Sequence, residues 1–592
     1  MIEVPIGREV FRVLWLIGAL MAAVLALKAL ELQIFQGKNF AQVAARARSQ
    51  KLFVPPLRGI IYDAQGRPLV ENQSIFDLIA VHADLPKSDG EIENLIAQLA
   101  PIINVSFGDL LGVFRDNSVS ATFVIKPNLS KEEAVKIKVL SPAGVYIAAN
   151  SQRRYLKGPA LAPIVGYTAK VSQEDLADFY YLLTDRVGRL GLEQYYEKTL
   201  RGDHRPLVPP EEEAGNQNRP RPGGDLTLNI DGEIQSRLYQ TMVNVLSPFG
   251  LKRGAAVVQN PDTGQILALI SLPSFDNNLF ESSSGGADLE KIAKVLGDKN
   301  KPLFNRVVSG RYSPGSTIKP LLAMAGLKEG VVTPETAIYA GGGISVKSKY
   351  DPNVSFIFKD WKVHGWTDLK KAIADSVDVY FYALGGGYGN ITGLGDLKIT
   401  SYLKELGADR TLGIDLPGET SGLVPSREQK QSVRGEAWFV GDTYNTSIGQ
   451  GDLTVTPLWL NSYIGAIANG GRLMRPYLVK EIKNADGVII GQNQPQVLTV
   501  LPFDAGTIGV VRSAMRQAVV SGTAALLGDL PVPVAAKTGT AQITGRGLNS
   551  LFVAFGPYDQ PTVAITVLVE NVQGQGLAIR VADDFLSWYF SR

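Results

Sequence analysis

Apolar and polar positions fall into three regimes along the chain. From Val13 to Leu27 run fifteen residues without a charge, and counting through Lys28 to Leu30 gives eighteen. That approaches the ~20 residues that span hydrocarbon, with Lys28 able to snorkel to the interface. A cleaved secretory signal has an apolar core of similar length, and a buried core helix is a third reading. No small-x-small cleavage site followed by polar chain appears, and the helical pattern continues through Leu30, Leu32, Ile34 and Phe35. The pattern therefore predicts an uncleaved anchor, with residues 1–34 as short tail and membrane helix. Arg8 and Arg12 precede it while Lys28, Lys38, Arg46 and Arg48 follow, so charge leaves its orientation open.

The second regime, 35–225, alternates short elements. Phe40 to Lys51 reads as a polar helix ended by Val54-Pro-Pro56, and Arg58 to Gly66 as strand, turn, strand. Residues 73–185 mix short strands with helices such as Ser88–Leu99 and Ser130–Lys138. Asp203 to Gly224, with five prolines, three consecutive glutamates and almost nothing apolar, reads as a linker or exposed excursion.

The third regime, 226–592, carries β-patterned runs at both ends. Ala255–Gln259 and Gln265–Leu272 form a predicted hairpin about the Pro261-Asp-Thr-Gly264 turn. Val534–Ile543, Ser550–Phe555 and Thr562–Glu570 are three more strands, and Ala578–Phe590 is an amphipathic segment. Mostly helical chain lies between. The pattern predicts an α+β domain whose antiparallel sheet is completed by its two ends.

Composition narrows the chemistry. Formal charge is +2, from 59 basic and 57 acidic residues, so no global field points to nucleic acid. There is no Cys, which excludes disulfides, thiolate metal sites and a cysteine nucleophile. Three His leave little material for a Ser-His-Asp triad. A serine hydrolase or acyl transferase here needs another base.

Ser313-Pro-Gly-Ser-Thr-Ile-Lys-Pro320 offers one. Pro314-Gly315 reads as a turn, and Pro320 is tolerated only if a helix opens at about Ser316. Ser316 and Lys319 are then neighbours on one face, and a partly desolvated lysine can accept a serine proton. Spacing alone is weak evidence, because Ser401-Tyr-Leu-Lys404 repeats it in an ordinary amphipathic stretch. Ser376-Val-Asp378 follows, although Ser274-Phe-Asp276 shows that Ser-x-Asp is cheap too. Lys537-Thr-Gly-Thr540 comes last, on a strand-like run. There Gly539 would let a substrate backbone approach, while Lys537, Thr538 and Thr540 offer donors to a carboxylate. Each triplet is weak alone and strong in this order.

In that order the triplets resemble the penicilloyl-serine transferases. Within them the chain resembles the class B penicillin-binding proteins, the monofunctional D,D-transpeptidases of bacterial wall synthesis. Arg58-Gly-Ile-Ile-Tyr-Asp63, Gly188-Arg-Leu-Gly-Leu-Glu-Gln-Tyr-Tyr196, Leu226-Thr-Leu-Asn-Ile-Asp231, Asn305-Arg306, Ser447-Ile-Gly-Gln-Gly451 and Asn469-Gly-Gly471 carry that resemblance across nearly the whole chain. Val54 to Gly59, Glu193 to Glu197 and Asp378 itself lean toward the elongation type rather than the septal type. Ser550-Leu-Phe552 departs from an aromatic pair common at that strand.

The resemblance implies a membrane helix, an α+β pedestal over 35–225 and a penicillin-binding, β-lactamase-like domain over 226–592. It further implies acyl transfer through Ser316, with Lys319 as its base and Ser376 relaying a proton within a chain ordered by Asp378 and Lys537. Backbone N–H groups of Ser316 and Thr540 would form the oxyanion hole, and Thr538 and Thr540 would hold the substrate carboxylate beside Gly539. Implied partners are peptidoglycan stem peptides, β-lactam antibiotics and a SEDS-family glycan polymerase, with the C-terminal domains outside a bacterial cell membrane. No cofactor is implied. Some elongation-type members hold a metal near the second motif through Asp, His and Cys; Asp351, Asp360 and His364 could contribute, but no Cys exists. A D,D-carboxypeptidase or β-lactamase, and a non-catalytic β-lactam sensor or wall-assembly scaffold, remain as alternatives.

Overall fold

The computed structural model describes residues 56–592 apart from 119–121, 178–179, 182–184, 204, 207–220, 282–285, 349–350, 352, 544–546 and 575, and before them residues 15–16, 18–23, 28 and 53–54. Much of the predicted anchor, the whole of the 40–51 helix and most of the 203–224 linker thus lie outside the described residues. No helix among the described residues is long and apolar enough to cross a membrane.

Two compact units divide the chain. One holds 75–150. Its strand Thr122–Lys126 pairs antiparallel with Leu78–Val81, and helices Asp89–Ile103, Phe107–Asp116 and Lys131–Leu140 close its core. Ser88, Ser106 and Ser130 each accept the N–H three residues on, the reason these helices start where they do. The first helix runs past the predicted end at Leu99 and through Pro101, which lies in its last turn. That extra turn carries the fully buried Ile103 into one cluster with Ile96, Leu99 and Phe123.

The other unit holds 56–74, 151–203 and 221–592. Its sheet comprises β1 (Gly254–Gln259), β2 (Ile266–Leu272), β3 (Ala535–Ile543), β4 (Gly547–Gly556) and β5 (Val563–Val572). The order is β2-β1-β5-β4-β3, every pair antiparallel, so the sheet is completed by the two ends of the domain as the pattern predicts. The helices that matter to the site are α1 (Gly232–Leu246), α2 (Lys319–Lys328), α3 (Asp378–Gly386), α4 (Pro457–Ala468), α5 (Ala505–Val520) and α6 (Leu577–Tyr589).

Alternation along the strands assigns the two faces. Ala256 and Val258 of β1, with Phe552 and Ala554 of β4, join the core containing Leu238 of α1 and Phe585 of α6. Ala255, Val257, Leu551 and Val553 join the larger core containing Leu322, Phe381 and Tyr463. Both faces are covered, which is why these strands read as nearly continuous apolar runs. β3 is an edge of the sheet, and its free side is where the site forms.

The Arg58 and Glu193–Glu197 motifs, with Arg153, form a buried ion network. Glu193 pairs with Arg58 at 2.5 Å and with Arg153 at 2.8 Å, and Arg58 reaches Glu197 at 2.5 Å. Burial raises the Glu193 carboxyl, but the two guanidinium groups outweigh it and hold the carboxyl below its ordinary value.

Candidate active site

The nucleophile's turn differs from the predicted α-helical start. Gly315–Ile318 is a 3-10 turn, and α2 begins only at Lys319. With three residues per turn, Ser316 and Lys319 still share a face. Pro320 falls in the first turn of α2, where its missing N–H costs nothing. Ser316 is half-buried at the cavity, while Lys319 is fully buried beneath it.

Lys319 Nζ donates to Asp378 Oδ1 at 2.6 Å and to the Ser376 carbonyl at 2.9 Å. Ser376 Oγ accepts from Lys537 Nζ at 2.7 Å. Ser376 has φ 59°, a left-handed conformation that a non-glycine residue adopts at a cost of order 1 kcal/mol. Bonds from two lysines hold it there. Burial, reinforced by the Lys319 ammonium and opposed by Asp378, pushes the Lys537 amine well below the usual lysine range.

Edge strand β3 supplies the third triplet. Lys537 and Gly539 share one face of it. A side chain at Gly539 would come within 2.8 Å of Thr317 Cγ2 and 3.2 Å of the Pro314 carbonyl. The bare Cα therefore admits the nucleophile's own turn, while Gly539 also lines the cavity. Thr538 Oγ1 donates to Thr523 Oγ1 at 2.8 Å, and the Thr540 carbonyl accepts from Gln450 Nε2 at 3.3 Å.

Ser316, Ser376, Asp378, Thr538, Gly539 and Thr540 line one cavity of about 1200 Å³. All the predicted residues therefore meet there, with the two lysines beneath its floor. The competing matches do not. Ser401 and Lys404 are both exposed on a separate helix, and Ser274 Oγ donates to the Pro159 carbonyl. Thr523, Asn445 and Gln450 also line the cavity. Thr523 stands in no motif, and only its position against Thr538 reveals it.

A metal near the second motif does not fit these residues. Asp351 is exposed and accepts from the Asn353 N–H in its own turn. Asp360 and His364 meet at 3.5 Å, and no group of three His, Cys, Asp or Glu among the described residues could hold a metal ion. Two donors fall short of the three or four protein ligands that a zinc site uses. Burial pushes the Asp360 carboxyl up and the His364 imidazole down.

Residues 254–587 match the penicillin-binding protein transpeptidase domain family, and 53–208 match the penicillin-binding protein dimerisation domain. The Haemophilus influenzae peptidoglycan D,D-transpeptidase MrdA is 31% identical over 619 residues, covering 96% of this chain and 90% of the relative. The chain belongs to the class B penicillin-binding proteins. It is a serine D,D-transpeptidase of the cell wall. Among solved structures, this penicillin-binding protein is similar to Helicobacter pylori PBP2 in complex with MreC, with TM-score 0.76, 27% identity and coverage of 91% of this chain and 98% of that one. It is also similar to a chain of a peptidoglycan synthase complex that coordinates polymerization and crosslinking, with TM-score 0.67, 26% identity and 99% coverage of both.

Proposed function

We propose that Ser316 carries the acyl group in crosslinking of stem peptides during wall elongation. Lys319, held in place by Asp378 at 2.6 Å, accepts as a free amine the proton of Ser316. Ser316 Oγ then bonds to the carbonyl carbon of the penultimate D-Ala, with the N–H groups of Ser316 and Thr540 facing the oxyanion. Ser376, bonded to Lys537 and 3.5 Å from Lys319, passes its proton to the departing D-Ala amine as the C–N bond breaks and is refilled by the proton Lys319 took from Ser316. An acceptor amine attacks the ester, forms the crosslinking amide and returns a proton to Ser316.

The observation that carries this reading is the meeting of all three triplets on one cavity beside β3, an edge strand of the sheet among the described residues, where an extended peptide can add as a strand. Thr538 and Thr540 face the terminal carboxylate, and β-lactams acylate the same serine. Incubation with a donor stem peptide and an acceptor amine tests it. Crosslinked product is expected, and hydrolysed donor alone would favour a carboxypeptidase.

The same proposal places the chain in a bacterial cell membrane by a single N-terminal helix, with 35–592 outside. Trp15, Leu16, Leu20 and Met21 support this as exposed apolar side chains on a helix that lipid would cover. The MreC and synthase complexes of similar proteins support association with wall-assembly partners; in this reading the pedestal is the docking domain and a SEDS-family glycan polymerase the partner.

A further inference from the structure

Helix α3 begins at Asp378, and its N-cap residue is Val377, whose side chain accepts nothing. The first N–H groups of a helix need partners from elsewhere. One comes from outside the helix: Asp360 Oδ2 accepts from the Val379 N–H at 2.9 Å. Its other oxygen accepts from the Trp361 N–H at 2.8 Å. Lys359 and Trp361, on either side of Asp360, line the active-site cavity. One buried carboxylate thus ties the cavity wall to the start of the helix that bears Asp378. Ser376 lies two residues before that helix, in the strained left-handed conformation, held on its other side by Lys319 and Lys537.

We propose that Asp360 is a positioning residue for acyl transfer, capping α3 from the cavity wall so that Ser376 and Asp378 stay aligned with Lys319 and Lys537. It touches no reacting atom. His364, the neighbouring titratable side chain, packs against Asp360 and the edge of Trp361, while Lys371 bonds the His364 carbonyl and pairs with Asp375.

The test measures penicillin acylation of the full chain in detergent, separating the saturating rate from the half-saturating concentration. Asp360→Ala is expected to lower the saturating rate by about tenfold or more, with half-saturation nearly unchanged, because alignment rather than binding is lost. Asp360→Asn keeps one acceptor oxygen, for Val379, and turns its amide nitrogen toward the Trp361 N–H, so it should recover part of the rate. Asp415→Asn is the control, because Asp415 is also buried and accepts two backbone N–H groups, from Leu478 and Val479, but does not line the cavity. It should lower the melting temperature and leave the acylation rate of folded protein unchanged. A wild-type rate in Asp360→Ala, or equal losses in the Ala and Asn variants, would overturn the proposal. Should the alanine variant not fold, Asp360→Glu, which keeps the charge but displaces the acceptor, is judged by the same criteria.

Discussion

Gly449 offers a steric test of how the nucleophile is held. It has φ +73°, and a Cβ there would stand 2.1 Å from the Gly315 carbonyl oxygen. The Gly315 N–H in turn donates to the Gly449 carbonyl at 2.9 Å. Reaching an ordinary contact of 3.4 Å would push the residue before Ser316 away by about 1.3 Å. A misplacement of ~1 Å at reacting atoms costs on the order of 10²-fold in rate. Gly449→Ala should therefore lower penicillin acylation by about 10²-fold, beyond a left-handed backbone cost of roughly 1–2 kcal/mol. Gly250→Ala separates the two effects, because Gly250 has φ +66° with nothing within 4 Å of its Cβ position. It should lose similar stability and keep its acylation rate. Rates come from stopped labelling with a fluorescent penicillin, and stability from urea melts. Acylation of Gly449→Ala within a few-fold of wild type would refute the reasoning.

Two further outcomes follow from the buried charges. Lys537 has a folded pKa below its unfolded value of 10.5, so the unfolded chain binds more protons in that interval and stability rises with pH. Urea melts should show wild type gaining on Lys537→Met as pH climbs from neutrality toward that value; a constant difference would contradict it. Glu193 has its folded pKa below 4.5, so the stability it contributes is present above that value and lost as pH falls through the folded pKa. Glu193→Gln should lose about 3–5 kcal/mol at neutral pH, because two buried guanidinium groups lose their partner, and the deficit should shrink in acid. A deficit that is constant with pH would contradict this.

The sheet is legible in the sequence because its strands are apolar runs at both ends of one domain, and the triplets are legible because each is compact. What escapes the sequence depends on approach between distant segments. That Gly539 also makes room for Thr317 and Pro314 of the nucleophile's turn shows only in three dimensions. Asp360 and Thr523 stand in no triplet, and their partners, Val379 and Thr538, are respectively 19 and 15 residues away. The start of α2 departs from the predicted one for a local reason: Pro314-Gly315 and Pro320 bracket a turn too short to tell 3-10 from α by pattern.

The most direct test of the central claim is the mass of the penicillin adduct, mapped by proteolysis of the full chain. The account predicts one covalent adduct, on the peptide containing Ser316, and none in Ser316→Ala. An adduct on another residue, or equal labelling of the Ser316→Ala variant, would contradict it.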